Sequence, residues 1–222
     1  MDSCSDHDEP GTAKDRKRPS FKQDRDTWTE AQRLMFAPLR SWNKSQRSHR
    51  HATWMPETHY IKGNHEDRFD RRANKDPDVI GSIVDFDQVM GLQHVWDHVY
   101  PFRRYVTIGG IDYTHVPHNK MGRAIAGVSA CRTVCQHAAR HVIYGHTHSM
   151  NFSTLALLGS TNAVRCCLNG PAFMEQGHQE PYAKDTQTGW VYGLLRVRPS
   201  ELPDTAFAFD YMSMEELEQV YG

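Results

Sequence analysis

Three short fragments of this 222-residue sequence place imidazole side chains beside predicted strand ends. "YIKGNHE" holds Asn64 and His65, "IDYTHV" holds His115, and "VIYGHTH" holds His146 and His148. Neutral imidazole nitrogens and an amide oxygen are good ligands for borderline divalent cations. Histidine is also the usual proton donor or acceptor near neutral pH. These residue types therefore allow a metal centre or acid–base chemistry.

The elements before these fragments must bring the side chains together. In α/β sheets, ligands bind outside the carboxyl ends of the strands, so we expect the fragments to meet at one sheet edge. Gly63 and Gly145 are predicted to let the chain turn sharply there. Because His146 and His148 stand in one short loop, each could serve a different ion, which favours a dinuclear site. Taken singly, a strand-end histidine is more often a hydrogen-bonded structural residue.

In this order, the GNHE, lone-histidine and GHTH fragments resemble three signature motifs of the calcineurin-like metallophosphoesterase superfamily, over residues 56–175. The resemblance implies an α/β fold, an αββα sandwich of two mixed β-sheets flanked by helices, here lacking the first strand, helix and strand. It implies that Asn64, His115 and His146 bind one metal and that His148 binds the other. His65 would not be a ligand but the general acid or transition-state stabiliser.

The implied activity is hydrolysis of a phosphomonoester or phosphodiester by attack of a metal-bound hydroxide. The implied cofactors are divalent metal ions, two in an intact site, drawn from Mn, Fe, Zn, Ni, Co or Mg. The substrate is a phosphate ester of undetermined kind, because members of one fold family differ in what they act on.

Two motifs of that family are missing: DxH, and the GD of GDxxD. With the bridging aspartate absent, we expect weak or single-metal occupancy and low activity. One hypothesis is that the chain begins inside the second motif, so that Asp2 is its second aspartate and orients His65. An alternative is a catalytically silent relative that binds a phosphate-containing or nucleic-acid ligand. A third is a structural α/β protein whose histidines never converge.

Charge is distributed unevenly, although the net charge is −1. A near-zero total argues against nucleic-acid binding by the whole surface. Residues 14–50, however, hold eleven Lys or Arg against four Asp or Glu, and residues 201–222 hold six acids and no base. A solvated helical face explains the basic segment better, and nucleic acid bound through residues 14–50 stays open as a partner.

Length and composition predict a single domain over residues 1–222, with residues 1–26 irregular or poorly ordered. The sequence has no apolar run of about 18 residues and no basic, then apolar, N-terminus. We therefore expect no membrane association and a cytoplasmic location. The five cysteines are odd in number and unevenly spaced, and Cys131 and Cys135 are predicted to pack in a core.

The remaining patterns predict secondary structure. Residues 27–46 read as two short helices or one helix bent at Pro38, and residues 66–98 as mostly helical. The run "RRYVTIGGIDYTHVP" predicts a β-hairpin turning at Gly109 and Gly110. The residues "GRAIAGVSACRTVCQHAAR" predict a helix, and "SMEELEQVY" a terminal helix capped by Ser213. Four late strands are predicted in "FSTLALLG", "AVRCCLNG", "GWVYGLLRV" and "TAFAFDYMS". His94 and His98, four residues apart, have a spacing that can bind zinc on a helix, but no third ligand is obvious, so a structural or solvated pair is favoured.

Overall fold

The structure, a computed structural model, describes residues 19–75, 86–159, 163–180, 183, 187–202 and 204–222. The chain divides into two compact units, Met1–Phe102 and Arg103–Gly222. Each unit is described by itself below, and the single domain over residues 1–222 stays a prediction. Asp2, Cys4 and the first part of the basic segment lie outside the described residues.

The first unit begins with one long helix, α1, Phe21–Ser48. Ser20 starts it with a capping box: the Gln23 N–H donates to Ser20 Oγ (3.2 Å), and the Ser20 N–H donates to Gln23 Oε1 (2.7 Å). This local signal overrides the prediction of an irregular segment, which is wrong for residues 21–26. Pro38 lies inside the helix without splitting it, so of the two predicted alternatives a single helix is observed and two short helices are not.

Helix α1 is joined to its unit partly through buried polar side chains. Gln32 accepts a hydrogen bond from the indole N–H of Trp96 (2.9 Å). Asn43 holds the backbone of Trp54 from both sides, accepting from its N–H (2.9 Å) and donating to its carbonyl (2.7 Å). These bonds tie the irregular segment that precedes the next strand to α1.

The rest of the first unit alternates short elements: β1 His59–Ile61, α2 Asn64–Lys75, α3 Phe86–Val89, α4 Leu92–Val95 and β2 His98–Tyr100. Strands β1 and β2 pair in parallel, with His59 opposite His98. The helices confirm the helical prediction for residues 66–75, 86–89 and 92–95, while residues 76–85 lie outside the described residues. His98–Tyr100 is a strand, so His94 and His98 do not share a helix. The unit's core is built on Phe69, Met90 and Leu92, with Phe21, Trp28, Tyr60, Trp96 and Val99 packed against them.

The second unit is built on a five-stranded mixed sheet. Its strands are β3 Val106–Ile108, β4 Ile111–Thr114, β5 His141–Tyr144, β6 Asn151–Ala156 and β7 Val164–Asn169, in the order β3-β4-β5-β7-β6. The β3–β4 hairpin is confirmed, and it turns at Gly109 (φ 56°) and Gly110 (φ 79°). Two consecutive left-handed residues are what a tight hairpin turn requires, and glycine adopts them without strain.

Strands β4, β5 and β7 run parallel to one another, so their carboxyl ends meet at one edge of the sheet. Helix α5, Ala130–His137, is shorter than predicted and packs on β6 and β7. Cys131 and Cys135 are buried in the core that it forms with Val134, Val142 and Cys167, which confirms their predicted packing role.

The chain ends with β8 Gly193–Arg198, β9 Ala208–Ser213 and α6 Met214–Tyr221. All four late strands are confirmed, and they divide between two sheets: β6 and β7 belong to the five-stranded sheet, while β8 and β9 pair as a two-stranded antiparallel sheet. Ser213 caps α6 as predicted, in a capping box with Glu216. The fold is thus mixed α/β, with one five-stranded mixed sheet and flanking helices.

Candidate metal centre

Two of the predicted ligands meet at the carboxyl edge of the five-stranded sheet. His115 directly follows β4, and His146 follows β5 after one glycine, with Thr114 and Tyr144 paired in register just before them. His115 Nε2 and His146 Nδ1 lie 3.2 Å apart, and the rings meet edge to face. Ligand atoms about 2.0–2.1 Å from one tetrahedral ion are about 3.3 Å from each other. The separation therefore suits two ligands of one cation.

The GHTH loop bends where the sequence indicated a glycine turn, but its two histidines, and not the glycine, adopt the left-handed backbone conformation. His146 has φ 84° and His148 has φ 56°, whereas φ at Gly145 lies outside the left-handed region. A Cβ at Gly145 would have no atom within 4 Å, so the predicted need for a glycine there is wrong. Left-handed backbone at residues with a Cβ costs free energy and is concentrated at functional sites.

This bend turns the two histidines of the loop in different directions. The His146 ring contacts His115, while the His148 ring meets the Trp190 ring edge to face, 4.9 Å between centroids. In an extended segment, side chains two residues apart would instead share a face. The left-handed residues thus direct the two imidazoles to different neighbours.

Asn169, the last residue of β7, holds this loop in place by side-chain hydrogen bonds. It is almost fully buried, and its amide Nδ2 donates to Thr147 Oγ1 (2.6 Å) and to the carbonyl of Ser149. The Gly170 N–H also donates to the carbonyl of Tyr144 (2.7 Å), which joins the ends of β7 and β5. The sequence interpretation did not assign Asn169 a role, although a polar residue that ends an apolar strand just before a glycine marks such a position.

Burial keeps the loop imidazoles in their neutral form. It lowers the pKa of His146, and the neighbouring His148 lowers it further. Burial also lowers the pKa of His148, partly opposed by the carboxylate of Glu180. Metal binding requires an unprotonated ring nitrogen, so both histidines are available as ligands at neutral pH.

Asn64 and His65 begin helix α2 in the first unit. The buried Glu66 carboxylate accepts a short hydrogen bond from the Gly63 N–H (2.6 Å), so the last residue of GNHE holds the turn together. Burial raises the pKa of Tyr60, and its hydroxyl hydrogen-bonds the same carboxylate. His65 Nε2 lies 3.5 Å from an Arg68 guanidinium nitrogen.

Lys62 anchors this turn by ion pairs. Its buried ammonium lies 3.1 Å from Asp70 on α2 and 2.9 Å from Asp87 on α3. Burial alone would lower the pKa of Lys62, but the hydrogen bonds to these carboxylates outweigh it and the pKa is raised. The strand end that precedes Asn64 is thereby fixed to two helices of the unit.

The predicted site residues therefore lie in different units: Asn64 and His65 in the first, His115, His146 and His148 in the second. The structure brings His115 and His146 together, and the ligand set that also includes Asn64 and His148 stays a prediction. A further group escaped the sequence interpretation. Glu57, His59 and His98, all in the first unit, place their ligand atoms within 4.8 Å of one another.

Comparison with known proteins adds little to these observations. No protein-family model matches the chain, and no curated protein matches it. A solved structure of a single-mutant Vps29 from Entamoeba histolytica is similar at 13% sequence identity, over 60% of this chain and 78% of that one, with a TM-score of 0.30. A similarity this low carries no argument about function. Among the described residues, no helix has both the length and the apolar character needed to cross a membrane.

Proposed function

We propose that this chain is a metal-dependent phosphoesterase of the calcineurin-like type, with the αββα sandwich fold, that hydrolyses a phosphomonoester or phosphodiester. One observation carries the proposal: His115 Nε2 and His146 Nδ1, at the ends of adjacent parallel strands, lie 3.2 Å apart. The order of the GNHE, lone-histidine and GHTH motifs adds to it. The strained backbone at His146 and His148 supports a functional reason for the loop's shape.

The proposal gives each residue a role. His115 and His146 hold one divalent cation through ring nitrogens, and His148 belongs to a second. Two further roles rest on the resemblance of the GNHE motif. Asn64 is a ligand of the first ion, and His65 is the proton donor to the leaving oxygen. Divalent ions at such nitrogens polarise a phosphate ester and lower the pKa of a bound water.

The test uses the whole chain with His98→Gln, which removes one member of the Glu57, His59 and His98 group, and the protein is stripped of metal with a chelator. Binding of Zn²⁺ and Mn²⁺ is measured by equilibrium dialysis, and hydrolysis of bis(4-nitrophenyl) phosphate is followed with each ion. His146→Asn removes an imidazole while keeping a residue that tolerates positive φ. We expect roughly 100-fold weaker metal binding and a matching loss of hydrolysis. His137→Asn, at an exposed position on α5, is the matched control and leaves both unchanged.

His65→Ala separates binding from chemistry. It is expected to lower kcat about 100-fold while metal binding is retained, because a general acid contributes about that much. Metal binding that His146→Asn leaves intact would overturn the proposed ligand. Metal bound through His146 without any metal-dependent turnover would overturn the enzymatic part and favour the silent, phosphate-binding relative instead.

A further inference from the structure

A second group of metal-ligating side chains lies in the first unit, away from the GNHE turn. His59 is the first residue of β1 and His98 the first of β2, and the two face each other across the parallel pair. Glu57 comes from the irregular segment just before β1. These three residues form the amino-end cluster. Asn64 and His65, by contrast, follow the carboxyl end of β1.

The cluster's ligand atoms face one another. His98 Nε2 lies 2.7 Å from Glu57 Oε1, and His59 Nε2 lies 3.6 Å from Glu57 Oε2. Neighbouring ligands of a tetrahedral ion are about 3.3 Å apart. The His98–Glu57 separation is shorter than this value, and the His59–Glu57 separation is longer. The rings are stacked, with centroids 4.7 Å apart and 18° between their planes.

The backbone around the cluster is fixed by a reciprocal pair of side chains. Asp97 Oδ2 accepts from both the N–H and the hydroxyl of Thr58, each at 2.8 Å. The Asp97 N–H donates back to Thr58 Oγ1 (2.9 Å). Thr58 lies between Glu57 and His59, and Asp97 directly precedes His98. The residues beside all three ligands are therefore held in place, which lowers the entropy cost of binding an ion.

Tyr100 supplies the partner that a ligating histidine needs on its other nitrogen. Its hydroxyl lies 3.2 Å from His59 Nδ1. When His59 donates from Nδ1 to this oxygen, Nε2 carries the lone pair and faces the Glu57 carboxylate. Metal-bound histidines almost always donate their second N–H in this way, which fixes the tautomer and the ring orientation.

We propose that Glu57, His59 and His98 bind one borderline divalent cation, Zn²⁺ in the first instance, with water completing its coordination. Two imidazoles and one carboxylate form a ligand set that binds zinc in proteins, and three protein ligands leave a position open. Glu57 is mostly exposed, so solvent reaches this position. The ion would join the segment before β1 to β2 and so stabilise the first unit.

The test must separate this site from the histidines of the second unit. Zinc binding is therefore measured in a His146→Asn/His148→Asn background of the whole chain, where asparagine tolerates both positive φ angles. Glu57→Gln and His98→Gln are added separately. His94→Gln, a nearby exposed histidine on α4, is the matched control. Readouts are zinc affinity by calorimetry, the visible spectrum of bound Co²⁺, and Tm with and without Zn²⁺.

We expect the background protein to bind Zn²⁺, to give the intense visible spectrum of four-coordinate Co²⁺, and to gain Tm with Zn²⁺. Glu57→Gln and His98→Gln should each weaken zinc roughly 100-fold and remove the Tm gain, while His94→Gln changes neither. Because Glu57 is exposed and glutamine keeps a hydrogen bond to His98, loss of zinc in Glu57→Gln does not reflect unfolding. No zinc binding in the background, or binding insensitive to Glu57→Gln and His98→Gln, would overturn the proposal and leave the proposed function untouched.

Discussion

The two histidine groups of this chain occupy opposite ends of their strands. In the second unit, His115 follows the carboxyl end of β4 and His146 that of β5. The loop after β5 has left-handed backbone at His146 and His148. In the first unit, His59 and His98 open the amino ends of β1 and β2, on regular strand backbone. The positions of the first histidines follow from short motifs, because a glycine turn after an apolar strand is a local pattern. No such motif marks His59 and His98, because each begins a strand of only three residues.

The groups also differ in what holds them. The GHTH loop depends on the buried Asn169 at the end of β7, in the middle of a hydrophobic sheet. The amino-end cluster depends on the exposed pair Thr58 and Asp97. Stability of the second unit's core should therefore matter greatly to the first group of histidines, and the following variants separate these contributions.

Leu168→Ala should have the largest effect. Leu168 is fully buried in β7 beside Asn169 and packs with Ile111, Ile143, Cys166 and Phe207. We expect the free energy of unfolding to fall by about 3–5 kcal/mol, from lost burial and the cavity left behind. Urea denaturation measures it. Leu158→Ala, at a fully exposed leucine, is the control and should change the value by less than about 0.5 kcal/mol. Equal effects of the two variants would show that β7 is not packed as described.

Lys62→Met should come next. Lys62 directly follows β1, which begins at His59, and stands two residues before Asn64. Its removal leaves Asp70 and Asp87 without their shared cation, and we expect a loss of about 2 kcal/mol, because both carboxylates are partly exposed. Lys44→Met, at an exposed position on α1, serves as the control in the same denaturation measurement. A stability equal to the wild type would rule out Lys62 as the anchor of the GNHE turn.

In the GHTH loop, alanine should lower stability relative to glycine at one residue and raise it at the neighbouring residue. At His146 (φ 84°) we expect the glycine variant to be more stable than the alanine variant by about 1 kcal/mol. At Gly145, where a Cβ meets open space, Gly145→Ala should raise stability by about 0.4–1 kcal/mol. Thermal unfolding of the three variants measures both differences. A preference for alanine at position 146 would contradict the left-handed backbone there.

The smallest effect concerns His141, which opens β5 as His59 opens β1 but has a structural role. Its buried Nδ1 accepts from the Cys166 N–H (3.0 Å). Burial lowers the pKa of His141, Arg165 lowers it further, and Thr205 and Asp204 oppose this. A lowered folded-state pKa contributes stability that is present above the unfolded-state value and is lost as pH falls through the folded-state value.

The wild type should therefore lose more stability between pH 7 and acidic pH than His141→Asn, in which Oδ1 replaces Nδ1 as the acceptor. Thermal unfolding across that pH range measures the difference. His137→Asn, at an exposed histidine of the same unit, should keep the wild-type pH dependence. Parallel pH profiles for wild type and His141→Asn would assign the acid sensitivity to other histidines.

Much of the second unit could be predicted from sequence because its signals are local. The β3–β4 hairpin depends on two adjacent glycines, and α6 on the Ser213 capping box. The late strands follow alternation and turn residues over a few positions. The start of α1 at Phe21 was also encoded locally, by Ser20 and Gln23, but the charged context obscured it. The strand His98–Tyr100 had no such signal, because three residues show no periodicity and pairing with β1 alone makes them a strand.

By itself, the sequence determined which residues are candidates for chemistry and where the chain turns beside them. These candidates stand at or next to the ends of predicted elements: Asn64, His65, His115, His146 and His148. Only the tertiary structure decided which side chains meet. Parallel pairing of β4 with β5 puts His115 against His146, and pairing of β1 with β2 puts His59 against His98. Register between distant strands depends on the burial of whole sheet faces, which no short motif contains.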